Sequence, residues 1–205
     1  MALFLYWNRL RGSRRAPRRA EIEPVEIKTL LADTFILERD AQGDTVFRLA
    51  GTRLCSTYGK ELKAYSFTSF WAKRDQQAIA RLMQHALEDK SVVVITFDGS
   101  SRDGRTNDFE LIVLPLDDDG GRPRALGTVQ PVEKAFWLGS DPILENRLET
   151  FRLIDPDREP LFLRNRPSVA VPPLLPEAEA MMERLVDTGG RRIRHLVVLP
   201  GGRRK

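Results

Sequence analysis

The stretch from Thr34 to Trp71, TFILERDAQGDTVFRLAGTRLCSTYGKELKAYSFTSFW, decides the fold. Thr34 to Arg39 and Thr45 to Ala50 are rich in β-branched and aromatic residues and read as two strands. Asp40-Ala41-Gln42-Gly43-Asp44 joins them, with the Asp and Gly residues that a tight connection uses. Period-two alternation places Val46, Arg48 and Ala50 on one face of the second strand and Phe47 and Leu49 on the other. Gly51 ends that strand and Thr52 is placed to cap a short helix. Leu54, Cys55 and Tyr58 then share helical spacing, and Gly59 stops the helix after about two turns. Leu62, Tyr65, Phe67, Phe70 and Trp71 follow as an aromatic wall of the kind that lines a pocket or fills a small core.

These residues carry a resemblance. Phe47-Arg-Leu-Ala-Gly51, Tyr58-Gly59, Glu61-Leu62 and Ser66-Phe67 resemble the strand, short helix and helical crossing that open a PAS domain, in particular those of small stand-alone bacterial PAS proteins. Upstream, Tyr6-Trp7, Leu10-Arg11-Gly12, Arg14, Pro17, Arg19, Ile22 and Pro24 stand at the spacing of that family's N-terminal pattern. The resemblance covers roughly residues 3 to 155. It departs at Ala64, where PAS sequences commonly place glycine. It implies an α+β fold: a PAS-like five-stranded antiparallel sheet with helices on one face, preceded by an amphipathic N-terminal helix and followed by a Pro-rich C-terminal tail.

Working outward, Leu3, Phe4, Trp7 and Leu10 recur at helical spacing, so residues 2–11 read as an amphipathic helix closed by Gly12. Its apolar stripe fits the open face of the chain's own sheet or, alternatively, a second copy of the protein. Arg14, Arg15, Arg18 and Arg19 follow around Pro17. Val25, Ile27, Leu30 and Leu31 suggest one or two helical turns before the first strand. Downstream of the aromatic wall, Ile79, Leu82, Met83, Ala86 and Leu87 predict a helix over 73–89. Ser91 to Asp98 and Asn107 to Pro115 predict a second hairpin, turning at Arg102-Asp103-Gly104-Arg105. Leu126 to Val132 supplies a fifth strand, and Phe136-Trp137-Leu138-Gly139 and Leu148 to Ile154 read as a closing segment, part helix and part extended.

Past Asp155-Pro156 the composition changes. Pro160, Pro167, Pro172, Pro173 and Pro176 put five prolines into 17 residues, the signature of a linker. A short helix from Pro176 to about Leu185, stopped by Gly189-Gly190, and a lone strand from Ile193 to Leu199 follow. The expected organisation is therefore an N-terminal helix and Arg-rich linker over 1–32, a PAS-like domain over 33–155, and a linker, helix and basic segment over 156–205.

Composition bounds the function. At 205 residues, with 41% hydrophobic and 30% charged content, the chain has room for one ordinary domain and a tail. The net charge of +4 divides into +6 over residues 1–19, −6 over 20–155 and +4 over 156–205. An acidic body thus sits between basic ends. A single cysteine, Cys55, excludes an intrachain disulfide, and residues 2–7 are too short to cross a bilayer and lack signal-peptide features. Both point to the cytoplasm.

The sequence offers little chemistry. His85 and His195 have no partner at metal-ligand spacing, and His85 falls on the polar side of its helix. No metal site is expected. PAS domains that bind haem place a histidine where this chain has Lys73-Arg74-Asp75-Gln76, and the photoactive flavin class needs a cysteine motif that is absent. The resemblance therefore disfavours both cofactors. Asp117 to Asp119 lack the ligand spacing of a calcium loop, and Cys55 reads as a small buried hydrophobe. No phosphate-binding loop, nucleophile elbow or catalytic triad is present, so an enzyme is not expected.

The leading function is a non-catalytic PAS sensory or regulatory module that binds a small ligand, a protein partner or both, with signalling through that partner or a homodimer. Pocket candidates are Phe47, Leu54, Tyr58, Leu62, Phe67, Trp71, Leu82, Ile95, Leu111 and Val113, a set that fits a solid core equally well. Interaction candidates are Phe4, Trp7, Arg11, Arg14 and Arg19. The alternative is a protein that binds nucleic acid or an anionic membrane surface through its Arg-rich ends.

Overall fold

Alternating apolar residues build both faces of one sheet. A computed structural model describes residues 2–117 and 121–155, together with the backbone of two three-residue strands near the C-terminus. The chain divides into two compact units, Met1–Leu161 and Phe162–Lys205. In the first, helix α1 (Ala2–Arg11) precedes strands β1 (Thr34–Arg39) and β2 (Thr45–Ala50). Helices α2 (Thr52–Thr57) and α3 (Gln76–Leu87) follow, then strands β3 (Val92–Ser101), β4 (Thr106–Leu116), β5 (Arg124–Pro131) and β6 (Ile143–Ile154). Short 3-10 turns at Pro24–Ile27 and Leu31–Asp33 lead into β1, and another at Phe67–Phe70 holds the aromatic wall.

All pairings are antiparallel, in the order β2-β1-β5-β4-β3-β6. The five strands expected between residues 33 and 132 are present. Of the closing segment read as part helix and part extended, Phe136 to Gly139 is a turn and Leu148 to Ile154 is strand throughout, the second half of β6, which pairs with β3 from Val92↔Ile154 to Ser101↔Ile143. Three of the four apolar residues in that half, Leu148, Phe151 and Ile154, are three apart and imitate helical spacing. An edge strand exposes much of both faces, so clean alternation is not imposed on it.

Neighbouring residues on each strand go to opposite layers. Phe35, Leu37, Val93, Ile95, Leu111 and Val113 face a core roofed by α2, the aromatic wall and α3. Ile36, Val92, Leu114 and Leu126 face a second core covered by Leu3, Phe4 and Trp7 of α1. The N-terminal helix therefore spends its apolar stripe on its own sheet. Trp7 is fully buried, and its Nε1–H donates to the Pro115 carbonyl at 2.7 Å. Each such large side chain stabilises the fold by about 1.5–3 kcal/mol relative to exposure. Gly12, at φ +57°, adopts the left-handed conformation that ends α1.

Two local expectations change. β1 and β2 shift register between Ile36↔Leu49 and Leu37↔Phe47, which leaves Arg48 as an extra residue. This bulge puts both Phe47 and Ala50 against the helix-side core and leaves Leu49 51% exposed, so strict alternation fails in β2. Thr52 is the first residue of α2, and Gly51 occupies the N-cap position. A Cβ on Gly51 would lie 2.2 Å from the Leu31 carbonyl oxygen, so glycine is there for the close passage of the preceding turn.

In the second unit, strands β7 (Arg191–Ile193) and β8 (Leu196–Val198) pair antiparallel. The lone strand expected from Ile193 is thus two strands. The predicted Pro-rich linker, the short helix after Pro176 and Asp118–Gly120 lie outside the described residues. No helix among the described residues is long and apolar enough to cross a membrane.

Candidate functional site

All ten pocket candidates, Phe47, Leu54, Tyr58, Leu62, Phe67, Trp71, Leu82, Ile95, Leu111 and Val113, are buried in the single cluster between the sheet and α2–α3. Phe35, Phe70, Phe97, Phe109 and Val129 belong to the same cluster. Most of the rings interlock edge-on or tilted, as in Phe47–Phe70 at 5.8 Å, Tyr58–Phe70 at 5.0 Å and Trp71–Phe97 at 5.1 Å between centroids, while Phe97 and Phe109 stack at 5.2 Å. Their packing leaves a cavity of about 10 Å³, which six of the ten line; Leu62, Leu82, Ile95 and Val113 are core without touching it. That space admits about one water molecule.

Three polar groups interrupt this apolar interior. Tyr58 Oη donates to Asn146 Oδ1 at 3.2 Å and accepts from Asn146 Nδ2 at 2.9 Å, and Asn146 is only 2% exposed. Burial is the main influence on the Tyr58 hydroxyl and pushes its pKa well above the ordinary tyrosine range; the Asn146 hydrogen bond opposes the shift more weakly. Trp71, 3% exposed, carries a buried Nε1–H with no hydrogen-bond partner among the described residues. All three residues line the cavity.

The chain ties this polar group to α3. The Ala72 N–H donates to the Asn146 carbonyl at 2.8 Å, and Gln76 Nε2 donates to the Trp71 carbonyl at 3.1 Å. Asp75 Oδ2 accepts the Leu148 N–H at 3.0 Å, so the start of α3 is fastened to β6 on both sides of Arg147. Asn146 was not among the sequence candidates, because it stands between Gly139 and Leu148, where the sequence suggested no element. A polar residue flanked by Ile143 and Leu148 was the only hint in the sequence.

The interaction candidates lie on the opposite side of the sheet. Phe4 and Trp7 stack at 6.0 Å within the second core. Arg11 is 7% exposed and spends its guanidinium on Asn8 Oδ1 and the Arg14 carbonyl, both at 2.8 Å. Arg14 reaches the Leu10 carbonyl at 2.7 Å and Glu21 at 2.9 Å. The Arg14 side chain, followed by the Arg18 backbone N–H, holds the Glu21 carboxyl below its usual range. Arg19 is half-buried and its backbone N–H donates to Asp117. These arginines order the turn after α1 by local contacts. Cys55 is partly buried beside Glu61, and burial raises its thiol pKa.

The model of the family described as "PAS domain" matches residues 1–130. The chain belongs to the PAS-domain family. This PAS domain is similar to a light-oxygen-voltage domain described in connection with a flavin analogue and the mechanism of such domains, at 18% identity and a TM-score of 0.43, over 56% of this chain and 87% of that one. It is also similar to the PAS domain of an HTR-like protein from Haloarcula marismortui, at 18% identity and a TM-score of 0.37, over 53% and 90%. A PAS domain from Colwellia psychrerythraea matches at 14% identity and a TM-score of 0.38, over 55% and 100%. No curated protein sequence matches.

Proposed function

We propose that this PAS domain is a non-catalytic sensory and regulatory module that accepts a small ligand between its helices and its sheet and passes the change to a protein partner. The observation that carries this reading is the buried, unpartnered Nε1–H of Trp71, a residue that lines a cavity together with Tyr58 and Asn146. A buried donor without an acceptor costs about 1–3 kcal/mol, a penalty that an all-carbon aromatic ring does not carry. A ligand acceptor atom removes it. Because the cavity is only about 10 Å³, the ligand must enlarge the core, displacing the Trp71–Asp75 segment that is tied to β6. Binding then shifts the protein between two arrangements by the difference in affinity for them, and about 1.4 kcal/mol shifts the balance tenfold.

Support for a non-catalytic role comes from the lining, in which Tyr58 is the only ionisable side chain. The anion-binding alternative receives less support, since Arg11 and Arg14 are engaged within the chain.

Native mass spectrometry of freshly purified protein, paired with a thermal-shift screen of small molecules, tests the proposal. We expect a bound or stabilising ligand whose effect is weakened in Trp71→Phe. A stabilising ligand indifferent to that substitution refutes the site.

A further inference from the structure

Beside the core, and independent of any ligand inside it, a cleft of about 250 Å³ opens on the surface between α2, the adjoining ends of β4 and β5, and the turn at residues 133–139. Its floor is apolar. Leu54, Phe109 and Val129 are each buried, and Pro131 and Leu138 form the walls. The turn is held close to the helix: a Cβ on Gly139 would stand 3.9 Å from that of Ser56.

The polar rim is unbalanced. Asp33 and Arg53 both line the cleft and form an ion pair with each other, so their charges cancel. Lys134 remains, exposed and with no ion pair or hydrogen bond among the described residues. The Ser56 and Thr57 hydroxyls donate to the Thr52 and Arg53 carbonyls, each at 3.0 Å, and so are not free to donate to a ligand. An apolar floor under one uncompensated cation matches a molecule with an apolar body and a single negative charge.

We propose that this cleft binds a small monocarboxylate with an apolar body, the carboxylate facing Lys134 and the body resting on Leu54 and Val129. The volume lies just below the range of drug-sized pockets, which sets the ligand at the size of a medium-chain fatty acid. Leu54 and Val129 line both this cleft and the internal cavity. An occupant therefore presses on two side chains that separate the surface from the core.

Isothermal titration with octanoate and its neutral analogue octanamide tests the assignment on the full chain. Octanoate should bind saturably. Lys134→Gln should weaken it about three- to fivefold, the worth of one exposed ion pair, and should leave octanamide unchanged. Ser56→Phe, which adds a ring to the exposed side of α2, should abolish binding of both. No saturable octanoate binding, equal affinity for octanoate and octanamide, or indifference to Lys134→Gln overturns the proposal. Octanoate binding that responds to Trp71→Phe but not to Lys134→Gln places the ligand in the core, sinking the cleft while leaving the core reading intact.

Discussion

Replacing Tyr58 by Phe removes one oxygen from a side chain whose hydroxyl is both donor and acceptor to Asn146. From the sequence this is a mild change, since the ring and its 5.0 Å contact with Phe70 survive. The structure makes it costly: Asn146 is 2% exposed and its side-chain amide loses its partner on both sides. Leaving such a group unsatisfied costs about 1–3 kcal/mol, so Tyr58→Phe should destabilise the domain by about 2 kcal/mol. Asn146→Leu strands the Tyr58 hydroxyl instead and should cost a similar amount. The double change removes both polar groups together. It should cost no more than about 2 kcal/mol in total, giving a non-additivity of about 2 kcal/mol. Urea unfolding followed by tryptophan fluorescence measures all four proteins. Additive losses, or a Tyr58→Phe protein within about 0.5 kcal/mol of the original, would show that the pair is not a closed buried unit.

Other expectations follow from single features. Ala64 sits at φ +67°, where a Cβ costs about 1–2 kcal/mol; Ala64→Gly should recover up to about 1 kcal/mol of this after glycine's greater unfolded entropy, seen as a higher urea midpoint. Removing residues 2–12 uncovers Ile36, Leu114 and Leu126, so the shortened protein should lose thermal stability or self-associate in sedimentation; a monomer of unchanged melting temperature contradicts the packing of α1. Asp98 has a raised pKa, first because of burial and then because Asp108 is near, with Arg147 opposing. Its charged form is therefore disfavoured by folding, a penalty present above the folded pKa and relieved as pH falls below the ordinary aspartate range. Asp98→Asn should stabilise the protein at neutral pH, with the advantage fading in acid; a constant advantage at every pH refutes it.

Local patterns in the sequence carried much of the fold. Leu3, Phe4 and Trp7 at helical spacing gave α1 its limits, and Gly12 its end. The β-branched runs located β1 to β5, because a strand with one or both faces buried must alternate or be apolar throughout. β6 was hidden because an edge strand need not alternate, and the bulge at Arg48 because register depends on the partner strand. The aromatic candidates came together since bulky apolar residues have few other places to go. Asn146 could not be found, as its meaning lies in a hydroxyl 88 residues away. Nor could the filled state of the core, which is set by how side chains interlock.

The indole N–H resonances test the central claim most directly. The chain has three tryptophans, so a nitrogen–proton correlation spectrum shows three such signals, with Trp71 assigned by loss in Trp71→Phe. Without ligand, the Trp71 signal should lie upfield of that of Trp7, whose N–H is bonded to the Pro115 carbonyl. A small molecule that raises the melting temperature through the core should move the Trp71 signal downfield as the N–H gains an acceptor, leaving Trp7 in place. A Trp71 signal already at the hydrogen-bonded position, or one unmoved by every stabilising ligand, would contradict the account.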